Sequence, residues 1–255
     1  MDFSKILECF QKEFSLSIPL PKPILENNKE VIVDKNAAYG FIIGDSSLIP
    51  KKNFWYIEVK STKIYTILSA LIHLSSIAEP GYYYVHCGSS GHSKLNYHVR
   101  LKSLDPNITI LHNIKKNKRI NLLNKLLTPK LLAGLFDSDG SVSININTLH
   151  YKIVFISKEY ELLRTISKYM ISSLGITTSK NPTRIKPHKS RLSSGITINK
   201  TTTWQIYTTN KKATIRLAKI ILPYTNHIIR RLELTLLIKL FEESITKEEF
   251  RPQNT

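Results

Sequence analysis

The sequence predicts an α+β protein built from two tandem copies of one αββαββα unit. Three observations carry this: an internal repeat, period-two alternation in the strand segments, and strands that follow one another in pairs rather than alternating singly with helices. The repeat is plainest in Asn36–Leu48, NAAYGFIIGDSSL. Placing Gly40 on Gly134 aligns AYGFIIGDSSL with LAGLFDSDGSV and sets Asp45 on Asp139, each acid five residues after its glycine.

The stretches downstream of the two segments also match. After Asp45 comes a strand-like piece ending in NFWYIEV (Asn53–Val59) and a helix-like stretch from Lys60 to Ile77. After Asp139 come SVSININ (Ser141–Asn147), YKIVFIS (Tyr151–Ser157) and a helical stretch from Lys158 to Ile176. Each half then offers a hairpin. In the first, GYYYVHCG turns through SSGHS into KLNYHVRLK (Lys94–Lys102). In the second, GITINK (Gly195–Lys200) pairs with WQIYTTN (Trp204–Asn210), behind a basic, proline-broken loop. Helical stretches at Ile110–Leu123 and Ile221–Leu234 close the two halves. The expected organisation is an N-terminal extension (1–35), a first repeat (36–112), a linker with helix (113–129), a second repeat (130–241) and a C-terminal tail (242–255). In the extension, Ile6, Leu7, Phe10 and Phe14 suggest a small amphipathic helix, and Pro19–Pro23 a linker.

The strands alternate. Leu95, Tyr97, Val99 and Leu101 share one face, and Asn96, His98, Arg100 and Lys102 the other; Val142, Ile144 and Ile146 alternate with Ser143, Asn145 and Asn147. One face is core and the other polar. A solvated sheet face is the ordinary explanation. Here, however, the face is rich in amide, hydroxyl and basic groups and poor in acids, the mixture that reads base edges and phosphates in a major groove. The candidate DNA contacts are the strand residues just named (Asn96, His98, Arg100 and Lys102; Ser143, Asn145 and Asn147), with Lys51 and Lys52 in the first turn. Lys180, Arg184, Lys186, Lys189 and Arg191 join them from the basic loop, and Thr197, Asn199 and Gln205 from the last hairpin.

Charge points the same way. The 255 residues carry 37 Lys and Arg against 19 Asp and Glu. Residues 1–35 hold five basic and six acidic groups and residues 242–255 two and four, which leaves 30 against nine between 36 and 241, a net of +21. Such a body attracts polyanions, and counterion release supplies much of the affinity for nucleic acid. No amphipathic helix concentrates the charge for a membrane surface, and no run of 18 apolar residues exists to span one. The N-terminus mixes Asp2, Lys5 and Glu8, unlike a signal or transit peptide. Cys9 and Cys87 stand outside any CxxC, which suggests a reducing intracellular compartment: cytoplasm or nucleoid, or an organelle matrix.

The motif segments carry the chemistry. On a helix, Gly40 and Gly44 share a face, as do Gly134 and Ser138, and small residues at that spacing let two backbones approach closely. Glycine in a helix interior costs about 1 kcal/mol against alanine, so its presence needs a reason. If the two helices pack on each other, Asp45 and Asp139 emerge together at their C-terminal ends. There they repel each other and meet the negative ends of two helix dipoles. Divalent cations relieve that arrangement, and an oxygen-only ligand set suits magnesium.

LAGLFDSDG resembles the signature of the LAGLIDADG homing endonucleases, and YGFIIGDSS is a looser copy. The resemblance covers roughly residues 36–241. The first copy departs from it at Tyr39 for alanine, Ile43 for the first acid and Ser46 for the final glycine. The resemblance implies a pseudo-twofold saddle of antiparallel sheets over double-stranded DNA, in the two-motif monomeric form. It further implies a magnesium-dependent double-strand endonuclease with two or more divalent ions at the motif interface. Asp45 and Asp139 would ligate metal, with the backbone carbonyls of Gly44 and Ser138. Nearby cations would neutralise transition-state charge: Lys115, Lys116 or Lys118 in one half, Arg230 or Arg231 in the other. An intron-splicing maturase binding intron RNA and a DNA-binding regulator without cleavage are the alternatives of the same fold.

Other readings fail on spacing. Counted as an EF-hand from Asp137, position six is Val142 and position twelve Thr148 instead of Gly and Glu. Gly88–Lys94, GSSGHSK, lacks the glycine directly before the lysine that a phosphate loop needs. His86, Cys87, His92 and His98 fit no zinc spacing.

Overall fold

A computed structural model describes residues 33–87, 95–145, 150–185, 189–191, 197–199 and 202–242, with backbone alone at 80–87, 95–96, 144–145, 189–191 and 197–199. The expected amphipathic segment and linker within residues 1–32, the tip of the first hairpin at 88–94 and the tail beyond 242 lie outside the described residues.

The first half runs α1 (Lys35–Asp45), β1 (Ser46–Pro50), β2 (Trp55–Ser61), α2 (Ile64–Leu74), β3 (Glu79–Cys87), β4 (Leu95–Ser103) and α3 (Ile108–Lys115). A 3-10 turn, Ile120–Lys125, leads to the second half. There the elements are α4 (Pro129–Asp139), β5 (Gly140–Asn145), β6 (His150–Ser157), α5 (Tyr160–Ser172), β7 (Thr183–Ile185), β8 (Lys189–Arg191), β9 (Thr197–Asn199), β10 (Thr203–Tyr207), α6 (Lys211–Ile221) and α7 (Ile228–Glu242). The four-stranded sheets have matching orders, β1-β2-β4-β3 and β5-β6-β10-β7, with every neighbouring pair antiparallel. Both motif helices pass into a strand without a loop: Ser46 opens β1 against Val59, and Gly140 opens β5 against Phe155.

Local chemistry sets the start of each motif helix. Asp34 caps α1 by accepting from the amides of Asn36 and Ala37, and its other oxygen takes Lys130 Nζ of α4 at 2.7 Å. Thr128 caps α4 through Leu131 N, and Pro129 comes next, where a missing amide hydrogen costs nothing. The two helices then pack along their small residues, in the same direction. A Cβ on Gly40 would run into the backbone of Leu131 and Leu135, one on Gly134 into the backbone of Ala37 and Phe41, and one on Gly44 into Ser138. Around this seam lie the fully buried Phe41, Ile42, Leu131, Leu132 and Phe136.

Two expectations are corrected. The second hairpin does not pair Gly195–Lys200 with Trp204–Asn210. Lys189–Arg191 pairs with Thr197–Asn199, while Thr203–Gln205 pairs with Thr183–Ile185. The two pairings share one register along the chain. Pro182 and Pro187 made this stretch read as loop; Pro182 stands just before β7, and Pro187 lies outside the described residues. Nor is Ile221–Leu234 one helix. The closing helix of the repeat is α6, capped by Asn210, and Pro223 ends the stretch beyond it. A further helix, α7, begins at Ile228 and buries Ile228, Leu234, Leu237 and Leu240.

Candidate active site

Close packing of α1 on α4 delivers Asp45 and Asp139 side by side. The Gly44 position, given a Cβ, would sit 3.0 Å from Asp139 Oδ2. Both acids face a cleft of about 410 Å³ that Lys115, Lys158 and Glu159 also line. Asp45 keeps an exposed surface toward this cleft; even so, the protein around its carboxyl desolvates it. Burial raises the pKa of both acids. For Asp139 the burial and the neighbouring Asp45 charge together push it up to about 6, against the pull of Lys115, Arg230 and Lys158. Among the described residues no hydrogen-bond donor reaches either carboxylate.

A helix ends with orphan carbonyls and negative dipole charge. Neither motif helix has a basic residue in its own last turn, so cations arrive from elsewhere in the chain. Lys115 Nζ, at the end of α3, donates to the carbonyls of Ile42 (2.7 Å), Ile43 (2.8 Å) and Gly44 (3.4 Å). Arg230, in the first turn of α7, donates from Nε to Asp137 O (3.2 Å) and from Nη2 to Ser138 O (3.5 Å), with its guanidinium over the Phe136 ring. Residues 43 and 44 correspond to 137 and 138 in the repeat, so the two cations hold equivalent places. Burial lowers the Lys115 pKa to about 8, opposed by Asp139 and Asp45, so Lys115 is mainly charged at neutral pH. Burial lowers the Arg230 pKa too, against Glu233 and the three motif acids.

Of the five expected basic residues the structure brings Lys115 and Arg230 to the acids. Lys116 is exposed, Lys118 pairs with Glu159 at 2.6 Å, and Arg231 turns to Thr225 O. Tyr39, a departure from the motif, has a use here. Its hydroxyl donates to Asp105 Oδ2 and accepts from Asn107 Nδ2, each at 2.9 Å, which fixes the start of α3, whose far end carries Lys115. Burial and the Asp105 carboxylate push the Tyr39 phenol up to about 12, against the Asn107 hydrogen bond. Lys158, between β6 and α5, was not foreseen; its only signal in sequence is its place directly after a strand of the second repeat.

The sheet faces carry several of the candidate contacts. Lys51 and Arg100 both lie over the Tyr56 ring, and Lys102 over Phe54, forming a cluster of cations and aromatics on the first sheet. Lys52, Lys180 and Arg184 are exposed, and Ser143 and Gln205 half-buried. Two corrections apply. The face is not free of acid: Glu58 pairs with Arg100, whose Nε donates to Oε1 at 2.5 Å. His98 is 1% exposed, with Nε2 3.7 Å from Glu58, so it lies inside the protein and does not face a ligand. Asn96, Asn145, Lys189, Arg191, Thr197 and Asn199 fall on β4, β5, β8 and β9. Asn147 and Lys186 lie outside the described residues.

The donor chemistry suits a hard divalent cation. Asp45 and Asp139 have open lone pairs, and the carbonyls of Gly44 and Ser138 are only loosely engaged by Lys115 and Arg230. No group of three or more His, Cys, Asp and Glu that could hold an ion exists among the described residues. A magnesium ion here would therefore keep waters or ligand oxygens in its shell, as this ion commonly does. No helix among the described residues is long and apolar enough to cross a membrane.

Known proteins resemble parts of this sequence and its fold. A family model described as a LAGLIDADG-like domain matches residues 129–221. The homing endonuclease I-WcaI, in a structure bound to its DNA recognition sequence, superposes with a TM-score of 0.52 at 14% identity, over 86% of this chain and 97% of that one. Full-length DUF199/WhiA from Thermatoga maritima gives 0.49 at 15% identity over 86% of this chain; the chain spans 64% of that protein. The homing endonuclease I-GzeII, in complex with a DNA target, gives 0.46 at 11% identity, over 86% and 95%. No curated protein matches the sequence. Two motif helices, two matching sheets and the matched domain define an α+β protein of the LAGLIDADG fold. Residues 129–221 thus resemble a LAGLIDADG-like domain, and I-WcaI shares the fold around them.

Proposed function

We propose that the chain is a site-specific DNA endonuclease that makes a magnesium-dependent double-strand break. The observation that carries this reading is the pair Asp45 and Asp139, desolvated and, among the described residues, without donors, each beside a cation seated on the end of its helix. A purely structural role would leave these acids paired or solvated. Asp45 and Asp139 would hold the metal with the Gly44 and Ser138 carbonyls; a bound divalent ion would supply an activated water and Lewis acidity at the scissile phosphate.

The chain's own groups do the rest. The net +21 body between 36 and 241 gathers the phosphate backbone. The cation–aromatic cluster of Lys51, Tyr56, Arg100 and Lys102 meets the groove. Lys115 and Arg230, held against carbonyls in a partly desolvated cleft, offer positive charge where the pentavalent phosphate develops negative charge. With one acid and one cation per half, each half serves one strand.

The test starts from selection. Duplexes retained by the protein from a randomised library, with EDTA present, are recovered and then exposed to Mg2+. Cleavage of both strands at one position supports the reading. Binding without cleavage contradicts it and leaves a DNA-binding regulator. Failure to retain any duplex, together with tight binding of structured RNA, leaves the maturase.

A further inference from the structure

Asp137, two residues before Asp139, is fully buried, as is His73 of α2. One carboxyl oxygen of Asp137 accepts three hydrogen bonds: from His73 Nε2 (2.7 Å), Asn226 N (2.5 Å) and His227 N (3.1 Å). Asn226 Nδ2 lies 3.4 Å from His73 Nδ1, which assigns His73 the tautomer with its proton on Nε2. The other Asp137 oxygen has no hydrogen-bond partner among the described residues. A buried carboxylate is expensive, and the equivalent position in the first motif helix is simply Ile43, buried in the core. So packing alone does not call for an acid there.

The partners of Asp137 show its use. Asn226 and His227 are the residues that open α7, and Arg230 stands in its first turn. Arg230 N donates to His227 Nδ1 at 3.4 Å, while its guanidinium returns to the carbonyls of Asp137 and Ser138. The Asp137 side chain thus grips the start of α7 while its backbone receives the cation that α7 carries. His73, from the other half of the molecule, holds the carboxylate in place. Lys115 has no such clamp, since Ile43 offers it only a backbone oxygen.

We infer that Asp137 is a positioning residue for Arg230, with His73 as its brace, and that this clamp serves one of the two strand-cutting centres selectively. The inference rests on the endonuclease reading. Removing it leaves Lys115 where it is and lets Arg230 drift from the cleft, so one strand is cut slowly and nicked duplex accumulates.

The experiment is strand-resolved cleavage of a selected duplex, each strand carrying its own label, with Asp137→Asn, His73→Gln and Arg230→Lys. Asp137→Asn and Arg230→Lys should slow the same strand by at least about tenfold, the scale of a misplaced catalytic group, and leave the other strand within about twofold. The double variant should be no slower than the worse single one. His73→Gln, which spares the motif helix, repeats the strand bias and stands in if Asp137→Asn does not fold. Equal slowing of both strands, or opposite strand preferences for Asp137→Asn and Arg230→Lys, overturns the inference. A second readout is independent of cleavage: protection of the Arg230 Nε proton from exchange in NMR. Loss of that protection in the Asp137 or His73 variant supports the clamp, and unchanged protection overturns it. If the wild-type protein cuts no duplex, the endonuclease reading falls, and the NMR measurement alone decides the clamp.

Discussion

Asp139 shows what the site costs the fold. Its pKa in the folded chain is about 6, above the ordinary 3.8. The sign comes from linkage. Below about pH 4 the group is protonated whether the chain is folded or not, and it subtracts nothing. As pH rises through 6, the unfolded chain ionises more readily, and stability is lost. Asp139→Asn in metal-free protein should therefore melt like wild type near pH 4 and be more stable by on the order of 1–3 kcal/mol near pH 8. The gain falls toward the lower end, because the Asp139 charge also helps Lys115 hold its proton. Equal melting temperatures at pH 8 would contradict the desolvated, repelling pair. The acids themselves were legible in the sequence, since both repeats end in one. Lys115 and Arg230 stood within small sets of candidates, and geometry chose between them. His73 gave no signal, because nothing in a linear chain marks a histidine as the partner of an acid 64 positions away.

Among the elements, the seam between α1 and α4 sets the distance between the acids. At Gly134 an added methyl would strike the Ala37 carbonyl and the Phe41 amide, backbone atoms that cannot turn aside. Gly134→Ala gains about 1 kcal/mol of helix propensity but forces the helices apart, and overpacking of this kind costs about 1–3 kcal/mol or more. The expected net result is a lower denaturant midpoint, with cleavage falling further than stability as the acids separate. An unchanged midpoint would mean that the seam is slack. The glycine spacing made this seam readable from sequence, and strand alternation made the first sheet readable. The β7–β10 and β8–β9 pairings were obscured by the prolines at 182 and 187. The second closing helix was obscured because α6 and α7 flank a proline-broken stretch that mimics the Ile110–Leu123 segment in composition.

For the whole molecule, both motif helices lie in one chain and bury each other's small-residue face, so no second copy is needed to complete the site. The protein should therefore run as a 29.3 kDa monomer in light scattering, with or without selected duplex. A 2:1 complex on one duplex, with each copy supplying one acid, would break the intrachain pairing. Affinity and chemistry are also separable at this scale. In the proposed endonuclease, affinity would reside in the basic body, which meets many phosphates, and cutting in the two carboxylates. The most direct measurement pairs the two on one selected duplex: Kd without metal, and the single-turnover rate after adding Mg2+, for wild type, Asp45→Asn and Asp139→Asn. The expected result is a Kd for each variant within about threefold of wild type, since affinity comes mainly from phosphate contacts. Double-strand cleavage should be lost in both, because each acid serves the cutting of one strand. Wild-type cutting of both strands by either variant would contradict the assignment of Asp45 and Asp139 as the cleavage centre.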